Sequence, residues 1–273
     1  MDILELLRVI FLSIVQGITE WLPVSSTGHM ILVDVFLNFT YSDEFRSVFF
    51  VVIQLASVMA VVTTFFNKLN PVVNNNGLTI DKEKINLWLK IIVASIPAAI
   101  IGIPLDDWIE TNLGSPTIIA LALIFYGLIF IVVENGNKNR TPGVSHITEI
   151  TFKLALFIGL FQLLALIPGT SRSGATIIGG LMLGMSRKTA AEFTFFLAIP
   201  AMAGGSLIRL LRIGSNFTQA EWLTMIIGCV VAFIVSVVTI KFLLGFIKKN
   251  SFKPFAYYRI VLGIIVLSYF WIN

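Results

Sequence analysis

Cysteine occurs once in the 273 residues, at Cys229, and histidine twice, at His29 and His146. A single thiol excludes a disulfide within the chain, and so few soft ligands exclude a Cys/His metal cluster. Cys229 lies in an apolar run and reads as a small packing residue. Charge is scarce too. Asp, Glu, Lys and Arg together make up 12% of the chain, roughly half the share of an average soluble domain. The net charge of +4 is spread over loops, which points to membrane topology and away from a nucleic-acid partner. The first apolar stretch lacks the features of a cleaved leader: Asp2 and Glu5 flank it, and no small-residue cleavage site follows.

What remains is apolar. The chain is 57% hydrophobic with a mean hydropathy of +0.93, which predicts a polytopic membrane protein. A spanning helix needs about 20 mostly apolar residues. Six stretches qualify: Ser47–Asn67, Leu87–Leu105, Pro116–Val133, Ala190–Ile208, Trp222–Ile240 and Phe255–Ile272. Lys90 falls near the end of the second. Most Trp and Phe residues are read as lipid-facing or interfacial.

Two further apolar segments are interrupted. Ala165-Leu-Ile-Pro168-Gly-Thr-Ser-Arg172-Ser-Gly-Ala-Thr176 places a proline, two glycines, four hydroxyl residues and one arginine inside a run with no other charge from Leu154 to Met185. Gln16-Gly-Ile-Thr-Glu20-Trp-Leu-Pro23-Val-Ser-Ser26-Thr-Gly-His29 repeats the order of apolar arm, proline, hydroxyl cluster and glycine. Aligning Pro23 with Pro168 sets Ser25 on Thr170 and Ser26 on Ser171. Phe49–Ala56 resembles Phe195–Met202 at nearly the same offset, so the chain reads as an internal duplication. Broken helices at membrane depth occur only where protein or a wet cavity covers their backbone. Each broken segment is therefore expected to form a re-entrant hairpin.

The expected fold is an all-α membrane protein of six spans plus two re-entrant hairpins. It forms one integral domain, 1–273, built of inverted repeats at about 1–134 and 150–273. Asn74–Gly77 and Asn135–Asn137 read as turn-rich loops within it. Lys68, Lys82 and Lys84, then Lys138 and Arg140, Arg187 and Lys188, and Lys248, Lys249 and Lys253 fall on one side if neither hairpin crosses. The segment Asp106–Ser115 is expected as an acidic loop on the other side. By the positive-inside rule the basic loops are cytoplasmic, with both termini external; Arg209 and Arg212 are the exceptions.

The hydroxyls after each proline are helix N-caps. First turns present free N–H groups and the positive end of the helix dipole, which suits phosphate. Two such ends converging would make a strong anion site, and Arg172 adds a planar fork of donors. Ser171, Ser173 and Thr176 add neutral donors, as do Ser25 and Thr27. Ser26 and His29 are three apart and share a helix face, the minimal arrangement of nucleophile and base. Gln16 and Glu20 are four apart on the preceding arm. The partner of Glu20 is expected to be a divalent cation, Arg172 or His29. One carboxylate and one amide oxygen fit a weak Mg²⁺ or Ca²⁺ site shared with substrate phosphates. Glu192 is either a dipole partner at its helix start or a contact of Arg172. His146 is expected in a solvated loop.

The two interrupted segments resemble the paired signatures of the undecaprenyl-diphosphate phosphatases, the bacitracin-resistance family. Phe-x-Val-Val-Ile-Gln at 49–54 and Glu-Phe-x-Phe-x-Leu-Ala-x-Pro at 192–200 extend the likeness over nearly the whole chain. The resemblance implies a hydrolase of the bacterial plasma membrane that converts undecaprenyl diphosphate to the monophosphate carrier for peptidoglycan synthesis. It implies dependence on Mg²⁺ or Ca²⁺ and a site open to the outer face. By position, Gln16 and Glu20 become the amide and acid at the metal. Ser26 and His29 become the hydroxyl and imidazole. Ser171, Arg172, Ser173 and Thr176 become the phosphate clamp. Ser26, His29 and water remain alternative nucleophiles. Two positions depart from the family pattern: Gln16 and Phe50 stand where many members carry glutamate, which shifts weight to Glu20. The rival class is a transporter or flippase of polyprenyl phosphate lipids, which inverted repeats support equally. The expected partners are the prenyl diphosphate and membrane lipids; a homodimer is compatible with this reading.

Overall fold

The computed structural model describes residues 3–37, 41–74, 78–213 and 217–272. The elements run α1 (Ile3–Thr19), α2 (Ser26–Leu37), α3 (Asp43–Thr64), α4 (Phe66–Leu69), β1 (Val72–Asn74), β2 (Leu78–Ile80), α5 (Lys82–Leu113) and α6 (Pro116–Gly136). The second half holds α7 (Phe152–Gln162), α8 (Arg172–Met182), α9 (Arg187–Ile213), α10 (Gln219–Phe246) and α11 (Lys253–Ile272). Six of these helices are long and apolar enough to cross a membrane: α3, α5, α6, α9, α10 and α11. They are the six stretches read from hydropathy, with ends shifted by a few residues.

Two expectations are corrected. Asp106–Ser115 is no loop, because α5 continues through Asp106 and Asp107 to Leu113. At about 1.5 Å per residue its 32 residues exceed the hydrocarbon thickness, so the acidic last turns project beyond it. The Lys68–Lys84 connection is more ordered than a loop. It holds α4 and an antiparallel pair of strands with Val72 opposite Ile80. Asn75, Asn76 and Gly77 lie outside the described residues, as do the side chains of Arg209 and Arg212. The turn at Asn135–Asn137 is the end of α6, which Asn137 caps.

The broken segments are pairs of arms packed on each other, α1 with α2 and α7 with α8. Each leading arm is seated by a glycine. A Cβ on Gly17 would meet Ala232 O of α10 at 3.0 Å, and one on Gly159 would meet Ala94 O of α5 at 2.3 Å. Small residues at such crossings let apolar helices approach to van der Waals contact in lipid, where no hydrophobic force drives them together. The core is aromatic and lies around α9. Trp21 meets Phe195 edge-on at 5.5 Å, and Phe65 meets Phe196 at 5.1 Å. Trp21 directly precedes the first break, so this contact fixes that break against α9.

One end of the molecule is locked by a buried carboxylate. Glu134, 1% exposed, accepts from Arg187 Nε at 2.9 Å and from the Phe252 N–H at 2.8 Å. It joins the end of α6 to the starts of α9 and α11. Glu192 has neither of its two expected roles: it accepts from Lys68 Nζ at 2.8 Å. His146 is exposed, as its polar loop implied.

Candidate active site

Both breaks end on a serine with a left-handed backbone. Ser25 has φ 69° and Ser171 has φ 72°, and among the described residues no other non-glycine residue has positive φ. Such conformations are rare for residues with a Cβ and concentrate at functional sites. Each serine then caps the helix it opens. The Ser25 hydroxyl accepts from Gly28 N–H at 3.5 Å, and the Ser171 hydroxyl from Gly174 N–H at 3.1 Å. The structural equivalence is thus Ser25 with Ser171, one residue away from the register that aligning the prolines implies. The same spacing relates Gln16 to Gln162 and Phe49 to Phe195. Ser26 therefore corresponds to Arg172, the first residue of α2 and α8 respectively.

The two caps converge on one polar hollow of about 330 Å³. Glu20, Ser25, Ser26 and Thr27 line it from the first break, and Ser171, Arg172 and Ser173 from the second. Val51 and Gln54 of α3, with Ala201, Met202, Gly205 and Ser206 of α9, add to the wall. The first residues of two helices, Ser26 and Thr27 of α2 and Arg172 and Ser173 of α8, thus line one space.

Glu20 is the hub. It is 7% exposed. Its Oε2 accepts from the Gln16 amide at 3.0 Å and from the Ser26 hydroxyl at 3.1 Å. Its Oε1 accepts from Arg172 Nη2 at 3.3 Å. Arg172 also donates through Nη1 to the carbonyl of Thr194 at 3.1 Å, which orients the fork. Its Nε and the hydroxyl of Ser206 have no partner among the described residues. Those are buried donors beside a hollow suited to an oxygen-rich anion. Ser173 donates to the Leu22 carbonyl at 3.3 Å and so ties the second break to the first.

Three residues singled out in the sequence lie outside the lining. Gln16 touches the hollow only through Glu20. Thr176 is buried between α8 and α9, bonded to Thr194 Oγ at 2.9 Å. His29 does not meet Ser26. Its Nδ1 bonds the Ser25 carbonyl at 2.8 Å and its Nε2 the Tyr258 hydroxyl at 2.7 Å, with the two rings stacked. Ser26 and His29 share a helix face, but the hydroxyl turns toward Glu20 and the imidazole toward α11.

Sequence reasoning passed over Arg259. It is fully buried, and its guanidinium donates to Pro23 O at 3.3 Å, Gly169 O at 3.0 Å and Thr170 O at 2.7 Å. It joins the backbones of both breaks behind the hollow. Two glycines make room for this. Gly169 has φ +93° and is packed on Ile119 O, where a Cβ would stand at 2.5 Å; a Cβ on Gly174 would stand 2.7 Å from Arg259 Nη1. The signal was available: Arg259 is a lone arginine in an apolar run, the same feature that singled out Arg172.

The oxygen ligands on offer for a cation are the Glu20 carboxylate, the Gln16 amide oxygen and hydroxyls. No group of three or more His, Cys, Asp or Glu side chains occurs among the described residues. A closed all-protein cage is absent there; the oxygen donors present are of the kind a hard cation takes.

These features define a multi-pass membrane protein with a polar hollow shared by two broken helices. The chain belongs to the bacitracin resistance protein BacA family, whose model matches residues 9–265. It is similar to an undecaprenyl-diphosphatase of Enterococcus faecalis, 56% identical over 269 residues and 98% of each chain. An undecaprenyl-diphosphatase of Desulfitobacterium hafniense is 55% identical over 271 residues, 99% of this chain and 98% of its own. One of Acetivibrio thermocellus is 54% identical over 267 residues and 98% of each chain.

Proposed function

We propose that this chain, like the relatives named undecaprenyl-diphosphatase, acts on undecaprenyl diphosphate, and that it yields undecaprenyl phosphate and inorganic phosphate. The observation that carries the reading is Glu20 bonded at once to the Ser26 hydroxyl and to Arg172. Pure anion binding has no need of a carboxylate held against a hydroxyl; hydrolysis does.

The diphosphate enters the hollow while the prenyl tail stays in lipid. Arg172 and the N–H groups at the starts of α2 and α8 hold its oxygens. Ser26 Oγ attacks the terminal phosphorus and passes its proton to Glu20. The bridging P–O bond breaks, and its oxygen takes that proton from Glu20 as it leaves with the prenyl monophosphate. Water then attacks the phosphoserine and gives a proton to the freed Glu20 carboxylate, the P–O bond to Ser26 breaks, and Glu20 returns the proton to Ser26 Oγ as phosphate departs. Phosphoryl transfer rests mainly on positioning and charge stabilisation, which these groups supply. Glu20 and Gln16 are the residues that would hold Mg²⁺ or Ca²⁺, and such an ion neutralises charge on the phosphates when bound. The Glu20–Ser26–Arg172 hollow is taken to face the outer side of the plasma membrane, with the basic loops cytoplasmic.

The test is phosphate release from a long-chain prenyl diphosphate by purified protein with a divalent cation, with and without chelator. Arg172→Ala should reduce the rate by about a hundredfold or more, in line with the loss of a transition-state donor. Near-normal release from that variant would overturn the assignment of the clamp.

A further inference from the structure

A second cavity, about 470 Å³, lies at the opposite end of α9. Its α9 residues are Lys188, Thr189 and Glu192, whereas the first hollow begins on that helix at Ala201. The rise from Glu192 to Ala201 is about 13 Å at 1.5 Å per residue. The remaining walls come from α4, the start of α5 and the turn Ile147–Glu149.

The charges of this cavity do not balance internally. Of its carboxylates, Glu192 is paired with Lys68 at 2.8 Å and Asp81 with Lys84 at 3.6 Å. Glu83 is exposed on the outer turn of α5. Lys90 and Lys188 are left. Lys188 is at the exposed rim, but Lys90 is only 6% exposed. Among the described residues no carboxylate or carbonyl accepts from the Lys90 ammonium; its neighbour is the Phe152 ring, 6.0 Å away. The stem is covered while the ammonium opens onto the cavity, so an anion entering there meets a cation with no protein acceptor. Hydroxyls of Ser145 and Thr148 and the His146 ring line the same space and supply further polar groups.

We infer that this cavity is a second anion site, which takes a phosphate monoester or inorganic phosphate against Lys90 and Lys188. The volume exceeds that of the first hollow, and the lining carries Lys90 and Lys188 in addition to the Lys68–Glu192 and Lys84–Asp81 pairs. The ligand chemistry is a tetrahedral dianion, whether it arrives free in solution or on a lipid headgroup. The inference stands apart from the hydrolytic reading, because no residue of the first hollow takes part.

The experiment separates the two sites. Binding of radiolabelled inorganic phosphate to purified full-length protein is measured in the Arg172→Ala background, where the first hollow is disabled. One site should remain, and adding Lys90→Met should weaken it about tenfold or more, while Lys90→Arg restores it. Lys90→Met alone should leave prenyl diphosphate hydrolysis unchanged. If Lys90→Met fails to fold, Lys188→Gln at the rim reads the same outcome as an approximately threefold loss. Competition by prenyl monophosphate in mixed micelles assigns the site to a lipid headgroup; absence of competition assigns it to a soluble anion. Absence of phosphate binding in the Arg172→Ala protein, or binding indifferent to both lysine changes, overturns the inference.

Discussion

Ser25 and Ser171 adopt the same strained backbone, φ 69° and 72°, and each caps the helix that follows. A residue with a Cβ in this region carries about 1–3 kcal/mol of strain. Replacing a serine cap by glycine loses only a few tenths of a kcal/mol. Ser171→Gly should therefore hold or raise the thermal unfolding temperature in detergent. Phosphate release should fall all the same, because the hydroxyl facing the hollow is gone. A clear drop in thermal stability would show that the caps matter more than the strain.

Ser26 and Glu20 should behave as one unit. Ser26→Ala and Glu20→Gln are each expected to slow phosphate release by more than about a hundredfold. The double variant should be little worse than the worse single one, since groups acting together are strongly non-additive. Fully additive losses in the four-variant cycle would separate the two roles and return water to the place of nucleophile.

Tyr258→Phe removes the hydroxyl that holds His29 Nε2. With His29 directed at α11 and not at Ser26, the variant should change the rate by less than about tenfold, far less than the loss from either Ser26 or Glu20. Mass spectrometry after a quench supplies the second readout: phosphoserine at position 26 is expected. A phosphohistidine at position 29, with a large loss in Tyr258→Phe, would make the imidazole the nucleophile.

Arg259→Met should damage both stability and activity. It strips the donor from three carbonyls, Pro23, Gly169 and Thr170, in both breaks. An orphaned buried acceptor costs about 1–3 kcal/mol, so a drop of about 3 kcal/mol or more is expected. Arg259→Lys keeps the charge but lacks the fork, and should recover part of each loss. Unfolding by heat in detergent, read beside phosphate release, checks both. Loss of activity without loss of stability would move Arg259 from positioning to substrate contact.

The six spans and both breaks could be read from the chain because apolar length and proline placement are local properties. The Gln16–Glu20 contact was also local, four residues apart on one helix. What escaped depends on residues far apart in sequence. Arg259 reaches across 236 positions to Pro23, and Tyr258 across 229 to His29. Glu192 finds Lys68, a partner 124 positions away that no helical periodicity indicates. Aligning the prolines displaces the register between the two breaks by one residue. The chain instead keeps the capping serine constant and lets the turn before it vary. The acidic end of α5 was read as a loop because charge was equated with the end of a helix, when it marks only the end of the apolar layer.

Set in the corrected register, Ser26 answers to Arg172 and Glu20 to Leu166. The two breaks share a capped serine turn but hold opposite offices, one acidic and hydroxylic, the other cationic. A symmetric partnership of identical halves would oppose arginine to arginine or carboxylate to carboxylate across the same floor. Joining both breaks in one polypeptide lets each carry its own side chains, and chemistry needing unlike groups becomes available between two similar turns.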